Sequence, residues 1–240
     1  MRIELWYQKI SIFQGGTEVK KRPLKIYFAG DLFNSKDLGG NVMLSDAIDK
    51  ISENRYQVML PQNGECEVME RTSQSIRDAD FDLLFHCDVV VANFDGTDLD
   101  SGTVVEFCFV KMLDLPTVLL RTDFRNSGDA TLPDGDPWNL MCSHYPRTEV
   151  LHINGMVLYH ECKSQTGNSV QCLELYYRNI AEKTVAALDR TVSLPSWMKK
   201  EQVLPQYETA LKSIGGTLGK SLSRDSLRDI VESKCSAGIY

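Results

Sequence analysis

The segment Cys87-Asp-Val-Val-Val-Ala-Asn-Phe94 constrains this chain more than any other. β-Branched residues fill its centre, and Asp95-Gly-Thr-Asp98 closes it with turn chemistry. A short apolar run bounded in this way reads as a strand covered on both faces, the situation of a strand inside a parallel sheet. Leu24 to Gly30 reads as another, stopping at glycine, and Tyr56 to Pro61 as one that stops at proline. Thr117 to Leu120 after Pro116, and Glu149 to Ile153, complete a set of five.

Helical spacing falls between these runs. Val42, Leu44, Ala47, Ile48 and Ile51 share one helical face. Glu67 to Asp82 reads as a helix with Val68, Met69, Ile76 and Phe81 turned inward, and Ser101 to Leu113 as one with Asp100 at its N-cap. Val170 to Leu188 reads as a further helix, whereas Asp31 to Gly40 (with Gly39-Gly40) and Arg121 to Asp136 read as polar loops. Strands alternating with helices argue for right-handed βαβ units. The expected fold is α/β: a flavodoxin-like (Rossmann-like) parallel sheet of about five strands in the order 2-1-3-4-5, flanked by helices. In such sheets ligands bind beyond the carboxyl ends of the strands. The loops after Gly30, Pro61, Phe94 and Leu120 are therefore the places for a site.

The 240 residues exceed what this sheet requires. Residues 1–22 read as an N-terminal extension in which Ile3 to Phe13 alternates as a partial edge strand. Residues 23–192 hold the α/β domain. Residues 193–240 form a C-terminal extension with helical stretches at about 203–214 and 222–234, expected to serve packing or oligomer formation.

A formal charge of -7 leaves no Lys/Arg field to track a polyphosphate backbone, so a nucleic-acid polymer is excluded as partner, as is an anionic membrane. No apolar run reaches 18 residues, and Met1 to Lys21 has no signal-peptide core, so a cytoplasmic protein is expected. The seven cysteines are odd in number, contain no C-x-x-C and have no histidine partners at zinc spacing. They read as reduced, mostly buried thiols; neither a metal nor a cofactor is expected. Gly30 to Gly40 contains Lys36 but not the arrangement of a phosphate-binding P-loop.

The chemistry concentrates in Asp95 to Glu106. Glu106 falls in the second turn of its helix, and Gly102 leaves the helix start open to close approach. Val104, Val105, Phe107 and Phe109 are expected to surround the carboxylate with apolar groups. A carboxylate near a helix start in an apolar cleft suits attack on a glycosyl carbon, whose transition state resembles an oxocarbenium ion. By spacing alone Glu106 fits a partly solvated helix glutamate better than a nucleophile.

Four blocks in order extend this reading: Ile26-Tyr-Phe-Ala-Gly30; Asp80-x7-Asp88-Val-Val-Val-Ala; Asp100-Ser-Gly-Thr-Val-Val-Glu106-Phe; and Trp138-Asn-Leu-Met141. Together they resemble the nucleoside 2-deoxyribosyltransferase family over roughly residues 24–155. The resemblance implies that Glu106 is the nucleophile that forms a covalent deoxyribosyl intermediate. It implies that Tyr27 orients that glutamate, and that Asp80 carries a proton to and from the base. Asp100 would hold the sugar 5′-hydroxyl, helped by Asn139 from a neighbouring subunit. Gln62 falls near the position that contacts the base, with Gly30 and Gly102 lining the site. The family also places a C-terminal tyrosine at a neighbour's site; this chain ends in Gly238-Ile-Tyr240, well beyond the matched blocks.

The implied reaction exchanges the base of a 2′-deoxynucleoside for a second free nucleobase with retention, water intercepting a fraction of the intermediate. A base leaves poorly unless protonated, which suits an acid at Asp80. Related hydrolases that cleave deoxynucleoside 5′-monophosphates carry a small hydroxyl residue where this chain has Asp100. An aspartate there repels a phosphate, which favours nucleosides as substrates. The implied partners are 2′-deoxynucleosides, free nucleobases and other copies of the same chain in a homo-oligomer with shared active sites. The alternatives are an N-glycoside hydrolase of nucleosides or their 5′-monophosphates, and a non-catalytic nucleotide sensor whose C-terminal helices are its output.

Overall fold

The computed structural model describes residues 22–64, 71–126 and 135–240. Five strands form one parallel sheet: β1 (Leu24–Ala29), β2 (Tyr56–Met59), β3 (Val89–Asn93), β4 (Thr117–Arg121) and β5 (Thr148–His152). Their order is β2-β1-β3-β4-β5, as expected, with Tyr27 opposite Val90 and Val90 in turn opposite Thr117. Val89 to Ala92 are completely buried because helices cover both sheet faces, which is why β3 is a continuous apolar run rather than an alternating one. β5 lies at the edge and is only half covered.

On one face, α1 (Ser35–Ile51) packs on β2 and against α6 (Ser169–Ser193), which in turn crosses β4 and β5 and carries α5 (Gly155–Gln165). On the other face, α3 (Ser73–His86) and α4 (Ser101–Met112) pack on β1 and β3, with the one-turn helix α2 (Pro61–Gly64) beside α3. A 3-10 turn spans Leu140–Cys142.

Several boundaries differ from the sequence expectation. α1 starts at Ser35 and takes Gly39-Gly40 into its body, because Asn34 caps it by accepting from the amides of Lys36 and Asp37. α3 runs to His86 rather than ending at Asp82; its expected first residues, 67–70, lie outside the described ones. α5 was not anticipated. Its outward residues Met156, Val157 and Tyr159 are apolar, which blurs the amphipathic pattern. The expected edge strand at Ile3 to Phe13 also lies outside the described residues.

Beyond α6 the chain forms α7 (Lys200–Ile214), α8 (Leu218–Ser221) and α9 (Arg224–Ala237). These helices bind the domain through long-range contacts. Tyr207 is buried against Phe85 of α3. Gln206 Nε2 donates to Met112 O and Tyr240 Oη to Leu113 O, satisfying carbonyls at the end of α4 that the helix itself leaves open. Tyr240 Oη also pairs with Tyr207 Oη at 2.9 Å, so within this chain the C-terminal tyrosine is an internal anchor. At the start of β3, fully buried Asp88 takes a bidentate contact from Arg22 and the Lys25 amide, and lies 3.9 Å from the ammonium of buried Lys234 on α9. Lys234 Nζ also donates to Cys87 O. Burial alone pushes the Asp88 carboxyl up, but Arg22, Lys234 and the Lys25 amide outweigh it and hold the group below its ordinary value. Among the described residues no helix is long and apolar enough to cross a membrane.

Candidate active site

Tyr27 points from β1 toward the α3–α4 face of the sheet, and its Oη donates to Glu106 Oε1 at 2.6 Å. The tyrosine is fully buried and the glutamate half-buried, so the contact is made largely out of water. Burial drives the Glu106 carboxyl from its ordinary 4.5 to about 7, against the Tyr27 hydrogen bond, which favours the ionised form. The charges of Asp80 and Asp100 push in the same direction as burial. The Tyr27 phenol is itself pushed well above its ordinary value by burial and by Glu106, so it remains a donor at any physiological pH. Four of the expected residues, Tyr27, Asp80, Asp100 and Glu106, thus converge on one place from β1, α3 and the start of α4.

Asp100 caps α4, its Oδ2 accepting from the Thr103 amide at 2.7 Å and the Thr103 hydroxyl at 2.9 Å. Oδ1 takes no part in the cap, and among the described residues no donor is seen on it. Gly102 gives it room: a Cβ there would lie 3.0 Å from Asp100 Oδ2 and would crowd the carboxylate. A Cβ on Gly30, at the end of β1, would lie 3.1 Å from the Asn93 side chain, so this glycine lets the loop after β1 cross the end of β3 closely. Asp80 is half-buried and borders a cleft of about 440 Å³ with Pro61, Gly64, Ala79 and Leu83.

Two expected residues stand apart from this cluster within the chain. Gln62 is folded back on α1, its Nε2 3.4 Å from Leu38 O and its Oε1 accepting from Asn41 at 3.4 Å. Asn139 is exposed and caps the 3-10 turn, accepting from the Met141 amide at 3.0 Å. The expected apolar collar around Glu106 needs correction. Val105 is 56% exposed and points away, while Phe107 faces Phe94 and Tyr145 in the core. Successive helix residues project about 100° apart, so neighbours in sequence cannot all face one carboxylate.

Sequence reasoning did not single out Asp31. It follows β1, and its carboxyl is raised by burial and by the charges of Asp100, Asp37 and Asp95. Its position immediately after Gly30, at a strand's carboxyl end, was the available signal. Asp31 also lines a separate polar cavity of about 380 Å³ on the α1–α6 side, with Asn41, Asn93, Asp95, Tyr176 and Tyr177. Glu106 and Asp80 lie outside it. Among the described residues no group of three or more His, Cys, Asp or Glu side chains is placed to hold a metal ion.

The fold and this cluster define a flavodoxin-like α/β protein with a tyrosine-bound carboxylate on the first helix after β3. Residues 26–141 match the model of the nucleoside 2-deoxyribosyltransferase family. Among solved structures, a conserved protein from Enterococcus faecalis V583 is 25% identical, covering 60% of this chain and 99% of that one with a TM-score of 0.46. A 2-desoxiribosyltransferase from Leishmania mexicana is 20% identical over 53% of this chain and 90% of that one, with a TM-score of 0.42. A 2-deoxyribosyltransferase from Bacillus psychrosaccharolyticus is 20% identical over 42% of this chain and 74% of that one, with a TM-score of 0.37. Among the curated proteins none matches the chain.

Proposed function

We propose that this protein transfers 2-deoxyribose between nucleobases by base exchange on 2′-deoxynucleosides, through a covalent deoxyribosyl–Glu106 intermediate. The observation that carries the reading is the Tyr27–Glu106 contact with Asp80 and Asp100 beside it. In the first step a Glu106 carboxylate oxygen attacks C1′ and the glycosidic C–N bond breaks. Its electron pair goes to the base nitrogen, and Asp80 supplies the proton the base needs to leave. In the second step a nitrogen of another base attacks C1′ from the face the first base left. The bond to Glu106 breaks, and the incoming base returns a proton to Asp80. Two inversions give net retention. Water in place of the second base gives slow hydrolysis. No step needs a metal or a cofactor.

Glu106 attacks only when ionised, and its value of about 7 leaves it partly so at neutral pH while keeping it strongly nucleophilic. Tyr27 holds one oxygen in place. Asp100 Oδ1 accepts from a free 5′-hydroxyl and repels a 5′-phosphate, which supports nucleosides over nucleotides as substrates. Asn139, exposed on its turn with Met141 70% exposed beside it, is suited to reach the site of another copy in a homo-oligomer.

The test is Glu106→Ala, assayed for exchange of a deoxynucleoside with a second free base. Loss of exchange with the fold intact is expected; activity near wild type refutes the mechanism. Wild-type protein is run with and without the second base. Release of free sugar alone, at an unchanged rate, would instead identify an N-glycoside hydrolase.

A further inference from the structure

Helix α3 carries Asp80, yet much of its hold on the molecule comes from far along the chain. Its buried residues are Asp78, Leu84 and Phe85. Leu84 and Phe85 fix its last turn in the core. Asp78 fixes its middle; besides neighbouring Arg77, which donates to Oδ1 at 3.1 Å, its partners belong to the turn between α7 and α8. Asp78 Oδ2 accepts from the Thr217 amide and the Thr217 hydroxyl, both at 2.7 Å. Neighbouring Arg77 donates to Ile214 O at 2.6 Å and stacks over Phe81, 5.1 Å from its ring centre. Gly216 has φ +72° and presses its backbone on Asp78, where a Cβ would lie 2.6 Å from Oδ1. Only glycine permits both the conformation and the approach.

Residues 214–217 lie beyond the family-matched span of 26–141. Asp80 is two residues from Asp78 and therefore about 200° around the helix, on the opposite side. It sits between the two anchors: Asp78 on its N-terminal side, Leu84 and Phe85 on the other. Releasing Asp78 removes the buried hold on the N-terminal side of Asp80 and leaves the part-exposed Arg77 contact to Ile214 O as its link to that turn. We propose that the turn 214–217 is a positioning element for Asp80, with Asp78 as its positioning residue, so that the C-terminal extension controls protonation of the departing base. This rests on the role given to Asp80 above.

The test uses the full chain and a series of 2′-deoxynucleosides whose bases range from strongly activated to poor leaving groups. Asp80→Asn, Asp78→Ala and the milder Thr217→Val are compared with wild type. A misplaced acid matters only where the base needs its proton, whereas a general loss of folded protein lowers every rate equally. Asp78→Ala is expected to lose roughly tenfold to a hundredfold in kcat for poor leaving bases, less than twofold for activated ones, with KM unchanged. Thr217→Val should follow the same pattern more weakly, and it decides the matter if Asp78→Ala does not fold. A loss equal across all bases, or none, in both clamp variants overturns the proposal while Asp80→Asn alone shows the dependence. If Asp80→Asn shows no dependence on the base, the role of Asp80 falls first and the clamp with it.

Discussion

Replacing Tyr27 by phenylalanine removes one oxygen and leaves a ring of nearly the same shape in a fully buried position. The hydrogen bond lost is 2.6 Å long and ends on a carboxylate. Such bonds to a charged group contribute about 1.5–3 kcal/mol, which corresponds to about one to two pH units on the acceptor. The hydroxyl favours the charged form of Glu106, so its loss raises the carboxyl further, from about 7 to roughly 8–9. At pH 7 the ionised fraction then falls from about a half to between roughly a tenth and a hundredth. The assay is the pH dependence of kcat/KM for base exchange, whose rising limb reports ionisation of the attacking group in the free enzyme. The limb should move up by about one to two pH units, with much of the rate recovered on its alkaline side. A rising limb that stays at the wild-type pH, whatever the change in overall rate, refutes the assignment of Tyr27 and Glu106 as a coupled pair.

Glu106→Gln keeps an acceptor for Tyr27 but removes a carboxyl whose folded-state value exceeds its ordinary 4.5. Such an acid binds protons more tightly folded than unfolded, so it costs stability as pH rises from 4.5 to about 7. The variant should melt with wild type at pH 4 and above it at pH 8; equal melting at both would contradict the burial argument. Asp100→Ser preserves a good N-cap while removing the charge, so cleavage of a deoxynucleoside 5′-monophosphate relative to the nucleoside should rise about tenfold or more, and an unchanged ratio counts against Asp100 as the selecting group. Gly102→Ala gains helix propensity of about 1 kcal/mol but crowds Asp100 Oδ2, so KM for deoxynucleosides should rise without loss of melting temperature. Asp88→Ala strands buried Lys234 and should cost about 3–5 kcal/mol in denaturant unfolding, much of it recovered in the double variant with Lys234→Met; a loss below about 1 kcal/mol would show that Lys234 finds water.

The sheet was legible because its strands are buried on both faces and therefore read as uninterrupted apolar runs; Val89 to Ala92 is the clearest case. α1 was read too short because Gly39-Gly40 looks like a loop, and only the Asn34 cap, formed in three dimensions, decides otherwise. α5 escaped because a helix lying on another helix rather than on the sheet buries little more than Leu158 and Cys162. In the site, spacing alone favoured a solvated glutamate at position 106, and only the block order pointed to a nucleophile with Tyr27 as its partner. Asp78 was invisible for a different reason. Its significance depends on Thr217, 139 residues away, and no local pattern encodes a contact of that span.

The buried carboxylate of Asp88 also bears on how much of the chain the sheet needs. Its cationic partners come from opposite ends of the described chain, Arg22 and Lys234. Arg22 lies 66 residues before Asp88, and Lys234 far beyond it, on α9. Without Lys234, the charge at the start of β3 is costlier to seal from water, and Cys87 O lacks its donor. A fragment cut to the family-matched length, residues 26–141, would carry Asp88 without either of its cations.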